Sequence, residues 1–334
     1  MAYASRRSSY LVGSMGAFLQ VFAVWWDSYS PHQVGTFDSW WNPTYIALYV
    51  GFTVVVWAIW SGLRVPRIQP PSTVPIRFVN LAGLKLAAAG LVLEVVVWIW
   101  IDITRQFFFS EPNIASAFSL WTMGMLTVAL GMVIGLTIEL GMIRHEMVAA
   151  STCKRWLTLL CVALTFASIW LTTSGVFLYF AEAFQTSSLN LVAAVFLSLV
   201  APLVLVPAKR VLPKFGAALA IGVIFNLVTG FVLVLVARTP AYVPWGLLPL
   251  ALFEILIMGL KRVMNITWAG PVASIVIGLF FWATYYPFTL YLFPWSSSPQ
   301  LSLAAVVLGS LAGAFLGNLT YAGLTSAVLG DVTG

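Results

Sequence analysis

Asp27, His32 and Asp38 fall within twelve residues, in the stretch "WWDSYSPHQVGTFDSWWNPTYIALY" that runs from Trp25 to Tyr49. Carboxylate and imidazole together form a ligand set for copper, zinc or non-haem iron. The set is sparse, with one His and two Asp. The other His of the chain, His145, lies on the opposite side in the topology derived below and cannot join it. Paired axial His between helices are therefore missing, and no haem is expected. A plainer reading of the stretch is an aromatic belt. Trp25, Trp26, Trp40, Trp41, Tyr45 and Tyr49 would sit at headgroup level, with Asp27 and Asp38 capping or facing water. A docking surface for an external protein is the third reading.

A second set of reactive groups lies inside apolar runs, where charge is costly and each charged residue needs a reason. Glu94 is flanked by "LVL" and "VVVW", with no basic residue at its depth. Its neutral form is expected, which makes it the leading candidate for a carboxyl that handles protons or contacts a quinol. Lys85 is nine residues earlier on the same helix, about 13–14 Å along the axis and on another face, so the two do not pair. Lys85 and Glu139 are expected to meet between neighbouring antiparallel helices, as a packing pair or a proton relay. Glu254, in "LALFEILIMGLKR", stands two turns before Lys261, which points to a local role near the inner face. Asn226 and Asn318 are expected to hydrogen-bond between helices.

The elements that must position these groups follow from composition. Of 334 residues 61% are hydrophobic and 8% charged, with mean hydropathy +0.99. A soluble chain carries roughly a quarter charged residues, so the solvent for most of this one must be lipid. Apolar runs predict ten transmembrane helices, near 10–26, 44–63, 79–101, 116–142, 156–181, 189–207, 215–237, 245–260, 266–287 and 301–329. In lipid these must be helices, because their backbone groups have to be satisfied internally. The predicted class is an all-α polytopic bundle forming a single transmembrane domain over 1–334.

With the N-terminus inside, thirteen of the sixteen Lys and Arg fall on the inner side. Only Arg105 and Arg238 fall outside, and Lys85 lies within a span. That asymmetry predicts cytoplasmic N- and C-termini in a cell membrane, with the Asp27–Pro43 loop on the outer face. Arg6 and Arg7 precede an apolar stretch with no A-x-A-like cleavage site, so the first helix is expected to stay as an anchor. Cys153 and Cys161 provide no disulfide framework. Gly131 and Gly135, and Gly309, Gly313 and Gly317, recur at four-residue steps that suit close helix packing, and Glu139 continues the first of these faces. There is no charge run and no phosphate loop, and no nucleic-acid partner is expected.

The pattern made by Trp26, Asp27, His32, Gly35, Asp38, Trp41, Pro43, Tyr49 and Gly51 resembles a signature of a family of polytopic membrane proteins of bacteria and archaea. That signature reads W-D-x-x-x-H, then G-x-D-x-[FW]-W-x-P-x-H, then a second helix with Tyr and Gly. The likeness covers about thirty residues. This chain departs from it twice. One extra residue separates Asp27 from His32, and Tyr45 stands where the family has a second His, which removes a ligand from any metal site the resemblance implies. The ten-helix, haem-less build is also similar in architecture to hydrophobic subunits of respiratory complexes.

Three functions are open at this point. The first is an integral subunit of a membrane redox complex. It would anchor an extracytoplasmic electron-transfer protein among other membrane subunits and contact a quinone through Glu94 or the outer aromatics. The second is a secondary transporter or channel using Lys85, Glu94, Glu139 and Glu254. Pro202, Pro249, Pro271 and Pro287 supply the helix interruptions such proteins use. The third is a membrane enzyme with a metal at Asp27, His32 and Asp38.

Overall fold

A computed structural model describes residues 6–29, 41–65, 76–107, 111–142, 152–184, 216–232, 247–292 and 306–315. It also describes residues 202, 205, 209, 300, 303, 304 and 318. All of the regular structure there is helical. The helices are α1 (Arg7–Tyr29), α2 (Pro43–Arg64), α3 (Ile76–Phe107), α4 (Glu111–Met142), α5 (Thr152–Phe184), α6 (Ala217–Gly230), α7 (Leu247–Val263) and α8 (Ile266–Leu292), followed by α9 (Val306–Phe315). Arg7–Asp27, Pro43–Arg64 and Leu81–Trp100 are long and apolar enough to cross a membrane. The other helices overlap predicted spans, and the sixth predicted span, 189–207, lies almost wholly outside the described residues.

Local sequence explains the helix ends. Asn42 caps α2 by accepting from the Thr44 N–H at 3.2 Å, and Pro43 occupies the first turn, where its missing N–H costs nothing. Gly216 begins α6 at φ +98°, a left-handed conformation that favours glycine.

Glycine sets the spacing of the first four helices. A Cβ on Gly16 would lie 2.9 Å from the Gly51 carbonyl, and one on Gly90 would lie 2.7 Å from the Gly124 carbonyl. Gly83 similarly abuts Gly131 and Gly135. Any larger side chain would force these backbones apart, so the seams α1–α2 and α3–α4 exist because the sequence puts glycine on both sides.

The contacts also give direction. Along α1 and α2, Asp27 meets Thr44, Gly16 meets Gly51 and Ser9 meets Ser61, so these helices are antiparallel. Along α3 and α4, Gly83 meets Gly135 and Glu94 meets Gly124, again antiparallel. The α5 helix runs with α1, since Arg7 reaches Thr158 and Trp25 reaches Leu171. Pairing of Ala218 with Glu254 and of Gly222 with Leu250 sets α6 against α7. Trp268 with Phe315 and Gly278 with Ser310 set α8 against α9.

The surface inverts the usual amphipathic order. On α3 the inward stripe is Leu81, Leu84, Ala87, Gly90, Glu94 and Val97, whereas Val92, Val96 and Ile99 face out. Trp57 and Trp60 of α2 are likewise exposed, while Ser14 and Gln20 of α1 and Thr158, Thr165 and Ser168 of α5 are buried. Large apolar side chains outside and small or polar ones inside is the arrangement a lipid bilayer accommodates.

Candidate functional site

The predicted intramembrane groups go to three separate places. Glu94 comes from the inward stripe of α3 and is 2% exposed. Its described hydrogen-bond partner is Gln20 of α1, 1% exposed, whose Nε2 donates to Glu94 Oε2 at 3.3 Å. Glu94 Oε1 and Gln20 Oε1 have no partner among the described residues. The pair is closely walled. A Cβ on Gly124 of α4 would lie 2.8 Å from Glu94 Cγ, and a Cβ on Gly51 of α2 would lie 2.9 Å from Gln20 Cγ. Four helices thus converge on one amide and one carboxyl. Gln20 is about 20 Å along α1 from Arg7 and about 10 Å from Asp27, which places the pair toward the Asp27 end. Trp98, one turn beyond Glu94, packs on Trp121 of α4 with ring centroids 5.7 Å apart.

Glu139 lies at the opposite end and is fully buried. Its Oε2 accepts from the Arg6 backbone N–H at 3.2 Å. The Arg6 guanidinium reaches the end of α2, donating to the Gly62 carbonyl at 3.0 Å and the Val65 carbonyl at 3.1 Å. It thereby satisfies carbonyls that a helix C-terminus leaves open. The Tyr10 ring packs against Gly135, filling the space a side chain there would need. Lys85 stands on the exposed face of α3.

Glu254 forms the third arrangement. It is 1% exposed and ion-paired with Lys209, which is equally buried. Its two oxygens also accept from the Gly216 N–H at 3.0 Å and the Ala218 N–H at 2.9 Å, the unpaired donors at the start of α6. Negative charge at a helix N-terminus is stabilising, so Glu254 ties α7, α6 and Lys209 together.

Of the expected outer-face ligands, Asp27 is described and His32 and Asp38 lie outside the described residues. Asp27 Oδ1 accepts from Thr44 Oγ1 at 2.8 Å, pinning the end of α1 to the start of α2. The aromatic residues around it divide. Trp41 is 81% exposed and Trp26 and Tyr49 are partly so, whereas Trp25 turns inward and donates to the Leu171 carbonyl at 3.3 Å. Phe22 stacks on Phe231, tying α1 to the end of α6. Asn226 donates to the Gly222 carbonyl of its own helix at 2.8 Å.

Sequence reasoning passed over Gln20, Arg6 and Tyr10 as site residues. Gln20 had a visible signal, as a lone amide in "GAFLQVFAV". A buried amide in a predicted span demands a partner just as a charge does. Arg6 was counted only as an inner positive charge, and nothing local marks it as the cap of a helix 56 positions away.

No protein family, characterised protein or solved structure matches this chain.

Proposed function

We propose that this chain is an integral subunit of a membrane redox complex, with ten transmembrane helices and both termini in the cytoplasm. Its Glu94–Gln20 pair exchanges protons with a quinone-like carrier. The observation that carries this reading is the pair itself, an incompletely bonded acid and amide buried among four helices beside the Trp98–Trp121 pair. A quinone offers oxygens that accept and donate hydrogen bonds and a flat ring that stacks on indole, and this corner of the bundle supplies both kinds of contact. The alternating helix directions support the ten-span topology, since each described neighbour pair runs as that weave requires.

Secondary transport is the less favoured reading. Transporter sites gather polar residues near the midplane. Glu94, Glu139 and Glu254 instead have three different sets of partners at three different places. A metal enzyme at Asp27, His32 and Asp38 is the third reading; Asp27 Oδ1 is engaged by Thr44, and His32 and Asp38 lie outside the described residues. Copper, zinc or iron there remains a proposal for metal analysis.

The test is purification from the native membrane in gentle detergent, with mass spectrometry of everything that copurifies. Cofactor-bearing subunits and an extracytoplasmic electron-transfer protein should accompany the chain in fixed ratio. In that complex Glu94→Gln should assemble normally and lose quinone-linked turnover. Emergence of the chain alone would remove the subunit reading, and full turnover in the assembled variant would remove Glu94 from it.

A further inference from the structure

The two orphaned oxygens belong to two side chains that one hydrogen bond already joins. Gln20 Nε2 meets Glu94 Oε2, and the remaining oxygens of the same amide and the same carboxyl are the ones left over. A primary amide and a carboxylic acid are complementary at both ends. The amide N–H donates to the acid carbonyl, and the acid O–H donates to the amide carbonyl. We propose that Glu94 carries a proton on Oε1 and donates it to Gln20 Oε1, closing a cyclic amide–acid pair that is a proton-holding site inside the bundle.

One proton pairs both orphans, which no other occupant does as simply. An ionised Glu94 would set two acceptors side by side and bury a charge against a single amide N–H. A hard metal cation takes six or more oxygens, and this corner offers two that are free.

Among the described residues, the charged and titratable side chains of the surrounding elements stand well away from the pair, with Arg6 and Arg7 about 20 Å along α1 from Gln20. On α1 the titratable Tyr10 and Asp27 lie about 15 and 10 Å along the axis from Gln20, and on α3 Lys85 lies about 13 Å from Glu94. On α2, Tyr49 is exposed, Tyr45 lies farther toward the helix start and Arg64 stands at the helix end. On α4, Glu139 is four turns from Gly124 and bonded to Arg6. On α5, Cys161 lies near the level of Arg7, which binds Thr158 three residues before it.

The site has a built-in consequence. When the proton passes from Oε1 to a base, a reduced quinone oxygen on the reading above, the carboxylate faces the Gln20 carbonyl and the ring must open. Uptake of a proton closes it again. The inference rests on that reading only for the identity of the base.

Infrared difference spectroscopy of the purified full chain tests it without turnover. At neutral pH the wild type should show a carboxylic-acid carbonyl band that shifts in heavy water and is lost in Glu94→Gln. That variant folds because two amides can form the same ring. In Gln20→Leu the band should persist at a shifted frequency, released from its ring partner. If Glu94→Gln removes only a carboxylate band, the protonated site is overturned. If Gln20→Leu leaves the acid band unmoved, the ring is overturned. Should Gln20→Leu not accumulate, carbon-13 labelling of glutamine in the wild type reads the same contact, as an amide carbonyl shift that Glu94→Gln alters. A chain that shows the band but copurifies with no redox subunit would retain the proton site and lose the function proposed for it.

Discussion

Glu254 and Glu94 are both buried carboxyls on apolar helices, and they are held in opposite ways. Glu254 has three donors, from Lys209, Gly216 and Ala218. Its charge is compensated and its oxygens are occupied, so it is a fastening. Among the described residues Glu94 has one amide donor and an oxygen with no partner. Burial alone therefore does not mark a working carboxyl. What separates the two is the count of donors, because a carboxylate that lacks them is better served by a proton.

The sharpest way to break this comparison is to remove the fastening. Glu254→Ala should leave Lys209 buried without its counter-charge and the first turn of α6 uncapped. A loss of about 3–5 kcal/mol is expected for one partner of a buried pair, read as a steep fall in thermal stability in detergent. A small effect would mean that Glu254 is no more structural than Glu94. Next comes steric crowding at the Arg6 end, where Gly135→Val should displace the Tyr10 ring and cost about 1–3 kcal/mol by the same measurement.

The effects then become smaller at the pair itself. Gln20→Leu should cost about 1–3 kcal/mol, because it strips Glu94 of its described hydrogen-bond partner. Glu94→Gln should leave stability within about 1 kcal/mol of wild type, since an amide keeps both ring bonds. A Glu94→Gln variant as unstable as Glu254→Ala would merge the two carboxyls into one structural class. Thr44→Val, which removes the bond to Asp27, should likewise have a small effect, about 0.5–1.5 kcal/mol.

These differences were only partly legible in the sequence. Apolar run length located the helices, since a span shows itself in twenty consecutive residues. Glycines at four-residue steps announced the close face of α4, because a missing side chain is a local fact with a fixed spacing. The partners of the buried groups were less visible. Glu94 was singled out by its apolar flanks, but Gln20 lies 74 positions away and is neutral, so a survey of charges passes over it. Glu139 was expected beside Lys85. The described bond to Glu139 comes from the Arg6 backbone N–H, a partner that carries no side-chain signal at all. The stretch around Glu254 points to a local role near the inner face, but does not show the described donors, which lie 36 to 45 positions earlier. A helix N-terminus offers bare N–H groups whatever its sequence, so its attraction for a distant carboxylate leaves no mark in composition.

The bond between Arg6 and Glu139 also says something about biogenesis. Its two ends are separated by 133 positions. At about 5–20 residues per second, a ribosome takes on the order of ten seconds to make the second after the first. Through that interval α1 and α2 can already be together, with the Arg6 guanidinium on its α2 carbonyls, while Glu139 has not yet been made. The end of the bundle that is synthesised first is thus sealed only when α4 arrives. Release of a chain that ends before Glu139 should leave that end open, a defect for membrane quality control to recognise.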